Sequence, residues 1–178
     1  MEIENTAIQG LKLIHLNRNG DPRGSFVKVF NYDFFTNNGL TTNFKESYFS
    51  ISKKNVIRGM HFQIPPYEHS KLVFLNQGNI LDVVLDLREN SETFGRHHFL
   101  KLDSDNPILV YIPIGCAHGF LCLEDNSIVS YFQTSVYSKD HDTGILWNSF
   151  EMDWPIEQPL ISDRDKSFIK FPVFNSPF

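Results

Sequence analysis

Three stretches of the chain, residues 71–87, 97–113 and 117–137, each read as two apolar strands around a polar turn. The first, "KLVFLNQGNILDVVLDL", turns at Asn76-Gln77-Gly78-Asn79. The second, "HHFLKLDSDNPILVYIP", turns around Asp103-Ser104-Asp105-Asn106-Pro107, and the third, "AHGFLCLEDNSIVSYFQTSVY", at Glu124-Asp125-Asn126. Turn signals recurring about every eight to twelve residues mark a β-sandwich or barrel. The 17 phenylalanines fit that reading, because aromatic side chains suit pleated, half-buried surfaces. No long stretch carries a clean 3.6-residue period. One short helix is predicted at "YDFFTNNG", with Gly39 as its cap. The expected fold class is all-β: an antiparallel double-sheet jelly roll with short peripheral helices. One domain spanning 1–178 is expected, with the proline-broken 150–178 as a wrapping tail.

Composition narrows the function. A net charge of −5 without a basic block argues against nucleic acid or an anionic membrane as partner. No apolar run approaches the roughly 18 residues of a membrane span. The N-terminus "MEIENTAIQG" does not resemble a signal peptide, and two cysteines do not make a disulfide framework, so a cytoplasmic setting is expected.

The candidate chemistry clusters in "NVIRGMHFQIPPYEHSKLV", which holds Arg58, His61 and Lys71, and in "PIGCAHGF", which holds His118. Taken singly, each has an ordinary structural explanation. A lone histidine is most often a hydrogen-bonded polar residue, Tyr131 in "SIVSYFQ" a core residue, and Asp165 in "SDRD" a loop carboxylate or helix N-cap. The adjacent His97 and His98 point to opposite sides of a strand and make a poor chelating pair. "PIGCAH" resembles the P-x-G-x-x-H motif of the cupin superfamily. The H-x-H of metal-binding cupins is missing, because Phe62 and Gln63 follow His61. No metal is therefore expected.

A closer resemblance rests on "DPRGSF", "VIRGMHFQ", "YIPIGCAHGFLCLED", "SYFQTSVYSKDHDTGILW" and "DWPIEQPLISDRD", segments spread between about residues 10 and 170. R-G-x-H-x-Q followed by P-x-G-x-A-H-G-F and S-x-[KR]-D resembles the dTDP-4-dehydrorhamnose 3,5-epimerase family of nucleotide-sugar epimerases, which are cupins. The resemblance implies a nucleoside-diphosphate 4-keto-6-deoxyhexose as substrate, a homodimer with strand exchange, and no cofactor. The protons at C3 and C5 both lie α to the C4 ketone, so a base, an acid on the opposite face and an enolate stabiliser suffice.

By resemblance His61 is the base, Asp165 its orienting carboxylate and Tyr131 the acid. Lys71 stands near the C4 oxygen, and Gln63 and His118 contact substrate. Arg23 and Arg58 hold the diphosphate. Phe26, from the partner subunit, packs on the nucleotide, and Tyr137 stacks on the base. Glu46 and Tyr48 occupy positions where thymidine-nucleotide members usually carry Q-x-N, Lys28 stands in for a glutamate and Phe74 for an arginine. The nucleobase stays open on this pattern, as does inversion at C3, C5 or both. A 3,4-ketoisomerase and a non-catalytic sugar-binding cupin are the alternatives.

Overall fold

The computed structural model describes residues 1–178. In chain order the strands begin with β1 (Glu2–Asn5), β2 (Lys12–His15), β3 (Arg18–Asp21) and β4 (Gly24–Val27). Helix α1 (Tyr32–Asn37) follows, then β5 (Glu46–Ser52), β6 (Ile57–Gln63), β7 (Lys71–Gln77), β8 (Asn79–Asp86) and β9 (His97–Asp103). The rest are β10 (Ile108–Ile112), β11 (Cys116–Cys122), β12 (Ser127–Gln133), β13 (Asp142–Gly144) and helix α2 (Asp163–Lys166). They build a six-stranded sheet ordered β1-β2-β10-β7-β12-β5, facing a five-stranded sheet ordered β13-β6-β11-β8-β9. Both sheets are antiparallel throughout, as the jelly-roll expectation requires.

The strands and turns lie where the sequence pattern puts them, but none of the three two-strand stretches is a hairpin. β7, β10 and β12 belong to one sheet, and β8, β9 and β11 to the other. Each turn is a corner at which the chain changes sheets. Gly78 (φ 91°) and Asn126 (φ 58°) supply left-handed backbone at two of these corners.

Both faces of each sheet are covered, which explains why β7, β8 and β11 are nearly continuous apolar runs. Val73, Leu75, Val110 and Val129 meet Ile80, Val84, Phe120 and Cys122 between the sheets. On the outer side of the six-stranded sheet, Leu72, Phe74 and Leu109 pack under Phe35 and Leu40. Helix α1 is tied there by the Asn31 side chain at its N-terminus and by a Schellman closure at Gly39 and Leu40, as "YDFFTNNG" suggested. On the outer side of the five-stranded sheet, Met60, Phe62, Leu85 and Leu121 are covered by Met152, Trp154, Phe174 and Phe178 from the C-terminal segment. No helix is long and apolar enough to cross a membrane.

Strand β6 carries a bulge. His118 pairs with His61 and Phe120 with Arg58, so two steps on β11 match three on β6. Gly59 (φ 139°) absorbs the extra residue, and a Cβ there would lie 2.5 Å from the Cα of Gly119. Strict alternation would put Arg58 and His61 on opposite faces. The bulge instead turns both toward the interior, while Ile57, Met60 and Phe62 face outward.

Candidate active site

The inward residues at one end of the two sheets enclose a cavity of about 340 Å³. Cross-strand register arranges its walls in rows. On the six-stranded side, Glu46, Gln133 and Lys71 form one row, and Tyr48, Tyr131 and Val73 the next. On the five-stranded side, His61 and His118 sit directly opposite one another on β6 and β11. Histidine and tyrosine thus enter the same cavity from opposing sheets.

His61 Nε2 lies 2.9 Å from Asp165 Oδ1. The second oxygen of Asp165 accepts the Gly59 N–H at 3.1 Å. One carboxylate therefore holds both the ring and the bulge that aims it. Asp165 is buried in α2, whose N-cap is Ser162. Burial alone pushes its carboxyl up, but the bond and charge of His61, the Gly59 N–H and Ser162 outweigh that and leave it below the ordinary carboxylate value. Burial also lowers His61 from 6.5, and this outweighs the opposing pull of Asp165, with the charges of Lys71 and Arg164 adding to the fall. At neutral pH the pair is a neutral imidazole donating Nε2–H to a carboxylate. Nδ1 then keeps its lone pair, and the side chain is 29% exposed.

Lys71 is buried and donates from Nζ to the His61 carbonyl at 3.0 Å. Burial lowers its pKa to about 8, against the opposing pull of Asp142. Tyr131 is buried, and its phenol is raised strongly by that burial, so it stays protonated and able to donate. Its oxygen lies 3.4 Å from Ser50 Oγ. His118 is fixed by a 2.7 Å bond from Nε2 to the fully buried Asp82. Arg58 lines the cavity and donates from Nε to Ser52 Oγ at 2.8 Å and from Nη2 to the Ile51 carbonyl at 3.4 Å. The exposed Tyr137 ring stands at the cavity edge, and the backbone N–H of Tyr137 donates to Glu46 Oε2 at 2.6 Å.

Gln63 is engaged within the chain, and Arg23 and Phe26 lie apart from its cavity, the latter as a contact made from the partner subunit requires. Gln63 lines the cavity but does not offer its amide: Nε2 donates to the carbonyls of Tyr67 (2.8 Å) and Val136 (3.1 Å), and Oε1 accepts the Ser138 N–H. It ties two loops to β6 instead of presenting a donor to a ligand. Arg23 and Phe26 lie on the β3–β4 hairpin, outside the cavity of their own chain. Arg23 is paired with Asp21, and Phe26 is 62% exposed.

Some residues in or behind the cavity wall escaped the motif reading. Asp82 was legible in principle, since a carboxylate inside "ILDVVLD" must find a partner. Arg164 pairs with Asp142 across the cavity wall, next in sequence to Asp165. His69 is held neutral, its pKa lowered to about 3 by burial and then by the charge of Lys71. No group of three His, Cys, Asp or Glu side chains is placed to hold a metal ion.

The arrangement can remove a proton on one side of a bound ring and supply one on the other. Comparison with known proteins agrees. The family model described as dTDP-4-dehydrorhamnose 3,5-epimerase matches residues 5–172. The enzyme of that name from Shigella flexneri is 37% identical over 174 residues, covering 96% of each chain. The dTDP-6-deoxy-D-glucose-3,5-epimerase of Legionella pneumophila, solved in complex with dTDP-4-keto-L-rhamnose, superposes with a TM-score of 0.93 at 32% identity, covering 98% of this chain and 94% of that one. The Bacillus anthracis dTDP-4-dehydrorhamnose 3,5-epimerase, solved with TDP and PPi bound, gives 0.90 at 36% identity, covering 94% of this chain and 97% of its own. This chain belongs to the dTDP-4-dehydrorhamnose 3,5-epimerase family.

Proposed function

We propose that the protein inverts C3 and C5 of a dTDP-linked 4-keto-6-deoxyhexose. The nucleotide is the one printed in the names of its relatives. The observation that carries the reading is the entry of His61 and Tyr131 into one cavity from opposing sheets. Nδ1 of His61 takes the proton α to the C4 ketone, and Asp165 steadies the imidazolium that forms. The Lys71 ammonium meets the charge growing on the C4 oxygen. Tyr131 returns a proton from the other face, and the carbon inverts. The chemistry needs neither oxidation nor a metal, because both protons are acidified by the ketone itself.

Arg58 serves the diphosphate, for which a guanidinium fork is suited. Tyr137 offers its exposed ring to the base. His118, held by Asp82, keeps Nδ1 for the sugar. The working unit is a cytoplasmic homodimer, in which Arg23 and Phe26 of the β3–β4 hairpin serve the neighbouring cavity. The free, buried cysteines and the exposed hairpin support that assignment. Residues 1–178 form one catalytic domain, and 150–178 wrap it through the outer apolar cluster.

The test is proton exchange. Incubation in deuterated water with the 4-keto-6-deoxyglucose derivatives of dTDP, CDP and GDP should place deuterium at C3 and C5 of the dTDP sugar. Absence of uptake with all three would sink the reading.

A further inference from the structure

Tyr131 has little that fixes its hydroxyl. The single protein contact of that oxygen is Ser50 Oγ at 3.4 Å, long for a hydroxyl pair. The ring, by contrast, is held on two sides. Tyr48 sits directly opposite Tyr131 on β5, and the two rings stack at 4.7 Å with an interplanar angle of 20°. His118 meets the same ring edge-on at 6.3 Å and 68°. Tyr48 is itself tied down, since Gln133 Nε2 donates to its oxygen. Tyr48 is 42% exposed and Tyr131 only 7%, so the stacked pair runs from the more exposed ring to the deeper one.

We propose that Tyr48 is a positioning residue which sets the plane of Tyr131 and thereby the balance of inversion between C3 and C5. The inference rests on the epimerase reading above. C3 and C5 flank C4, so one phenol oxygen must reach two carbons on either side of the ketone. A misplacement of about 1 Å can cost about 10²-fold in rate. A shift of the phenol acts unequally on the two carbons, because it moves toward one as it moves from the other. Proton removal by His61 from the opposing sheet is not touched. With Tyr48 truncated, exchange continues at both carbons, and the abstracted position is refilled from the His61 side with retention.

The experiment compares the wild type with Tyr48→Leu, Tyr48→Phe and Gln133→Leu in deuterated water, reading deuterons and configuration at C3 and C5 separately by NMR. Thermal melting checks that each variant is folded. Tyr48→Leu should change the C3-to-C5 inversion ratio about tenfold or more, with exchange still detectable at both carbons. Tyr48→Phe keeps the stacked ring but loses the bond from Gln133, so it should move the ratio the same way as Tyr48→Leu, by less. Gln133→Leu frees the Tyr48 hydroxyl and should move the ratio the same way, by less. A wild-type ratio in both leucine variants, whatever their rate, would overturn the inference while leaving the epimerase reading intact. No exchange by the wild type would overturn both.

Discussion

Asp165 Oδ1 lies 2.9 Å from His61 Nε2, while its other oxygen accepts the N–H of Gly59 two residues upstream in the same strand. The carboxylate thus fixes the tautomer of the histidine and the bulge that turns it inward. Replacing it with asparagine keeps the shape but removes the charge that steadies the imidazolium. Asp165→Asn should lower kcat about 10²- to 10⁴-fold with little change in KM. Steady-state kinetics would show it, and a loss confined to KM would count against this role.

The same pair makes stability depend on acid. The folded pKa of Asp165 lies below its ordinary value of 3.8, so its contribution is fully present above that value and is lost as pH falls through the depressed one. His61, lowered from 6.5, opposes protonation of the folded state from the same side. Denaturant titrations of the wild type should therefore show stability falling from about pH 6 downward and falling further below about pH 4. Asp165→Asn should flatten the lower part. An identical acid profile for variant and wild type would exclude the pair as its source.

Lys71 should set the alkaline side of the rate profile. Its ammonium, lowered to about 8, is lost as pH rises through that value, while His61 is the free base above a pKa below 6.5. The pH dependence of kcat/KM should be a bell with limbs below 6.5 and near 8. Lys71→Arg, permanently charged, should carry the plateau past the alkaline limb. Lys71→Met should lose about 10²- to 10³-fold at neutral pH, as removal of one fixed donor to a developing oxyanion does. An unchanged alkaline limb in Lys71→Arg would assign that limb to another group.

Gly119 faces Gly59 across β6 and β11. A Cβ on Gly119 would meet Met60 Sδ at 2.7 Å, Arg58 O at 2.8 Å and Gly59 Cα at 3.0 Å. Two of these are backbone atoms of the bulge and cannot swing away. Gly119→Ala should cost about 1–3 kcal/mol of stability, with a larger loss of activity than the surviving folded fraction explains. Urea unfolding monitored by tryptophan fluorescence measures the first, and kcat per folded protein the second. Full activity would mean that β6 has slack at this point.

Alternation in "KLVFLNQGNILDVVLDL" was enough to place β7 and β8, and the two motifs to name His61 and His118. What the pattern could not say is which sheet each strand joins. A period of two looks the same whether the chain doubles back on itself or crosses to the opposite layer. The bulge had a signal, an isolated glycine in a strand, but its effect appears only against β11. Gln63 belongs to the motif for a reason the motif does not disclose: its amide is spent on the backbone of two loops. Phe26 was read as reaching a partner subunit's nucleotide, and the β3–β4 hairpin that carries it and Arg23 does stand clear of the cavity in a single chain.

The division of labour between His61 and Tyr131 is open to direct test because they reach the cavity from different sheets. His61→Asn removes the base and should abolish deuterium uptake at both carbons. Binding of dTDP, measured by calorimetry, should persist, because Arg58 and Tyr137, the residues proposed for the diphosphate and the base, are unchanged. Tyr131→Phe keeps the ring, its stack on Tyr48 and its edge contact with His118, and removes only the proton donor. The enolate still forms at His61 and is reprotonated from the same side, so deuterium enters with retention. Inversion should fall about 10²- to 10⁴-fold, the usual worth of a placed general acid, while exchange falls far less. Equal loss of exchange and inversion in Tyr131→Phe would mean that the phenol acts before the enolate forms, as a donor to the ketone oxygen. Near-normal inversion would remove it from the acid role altogether.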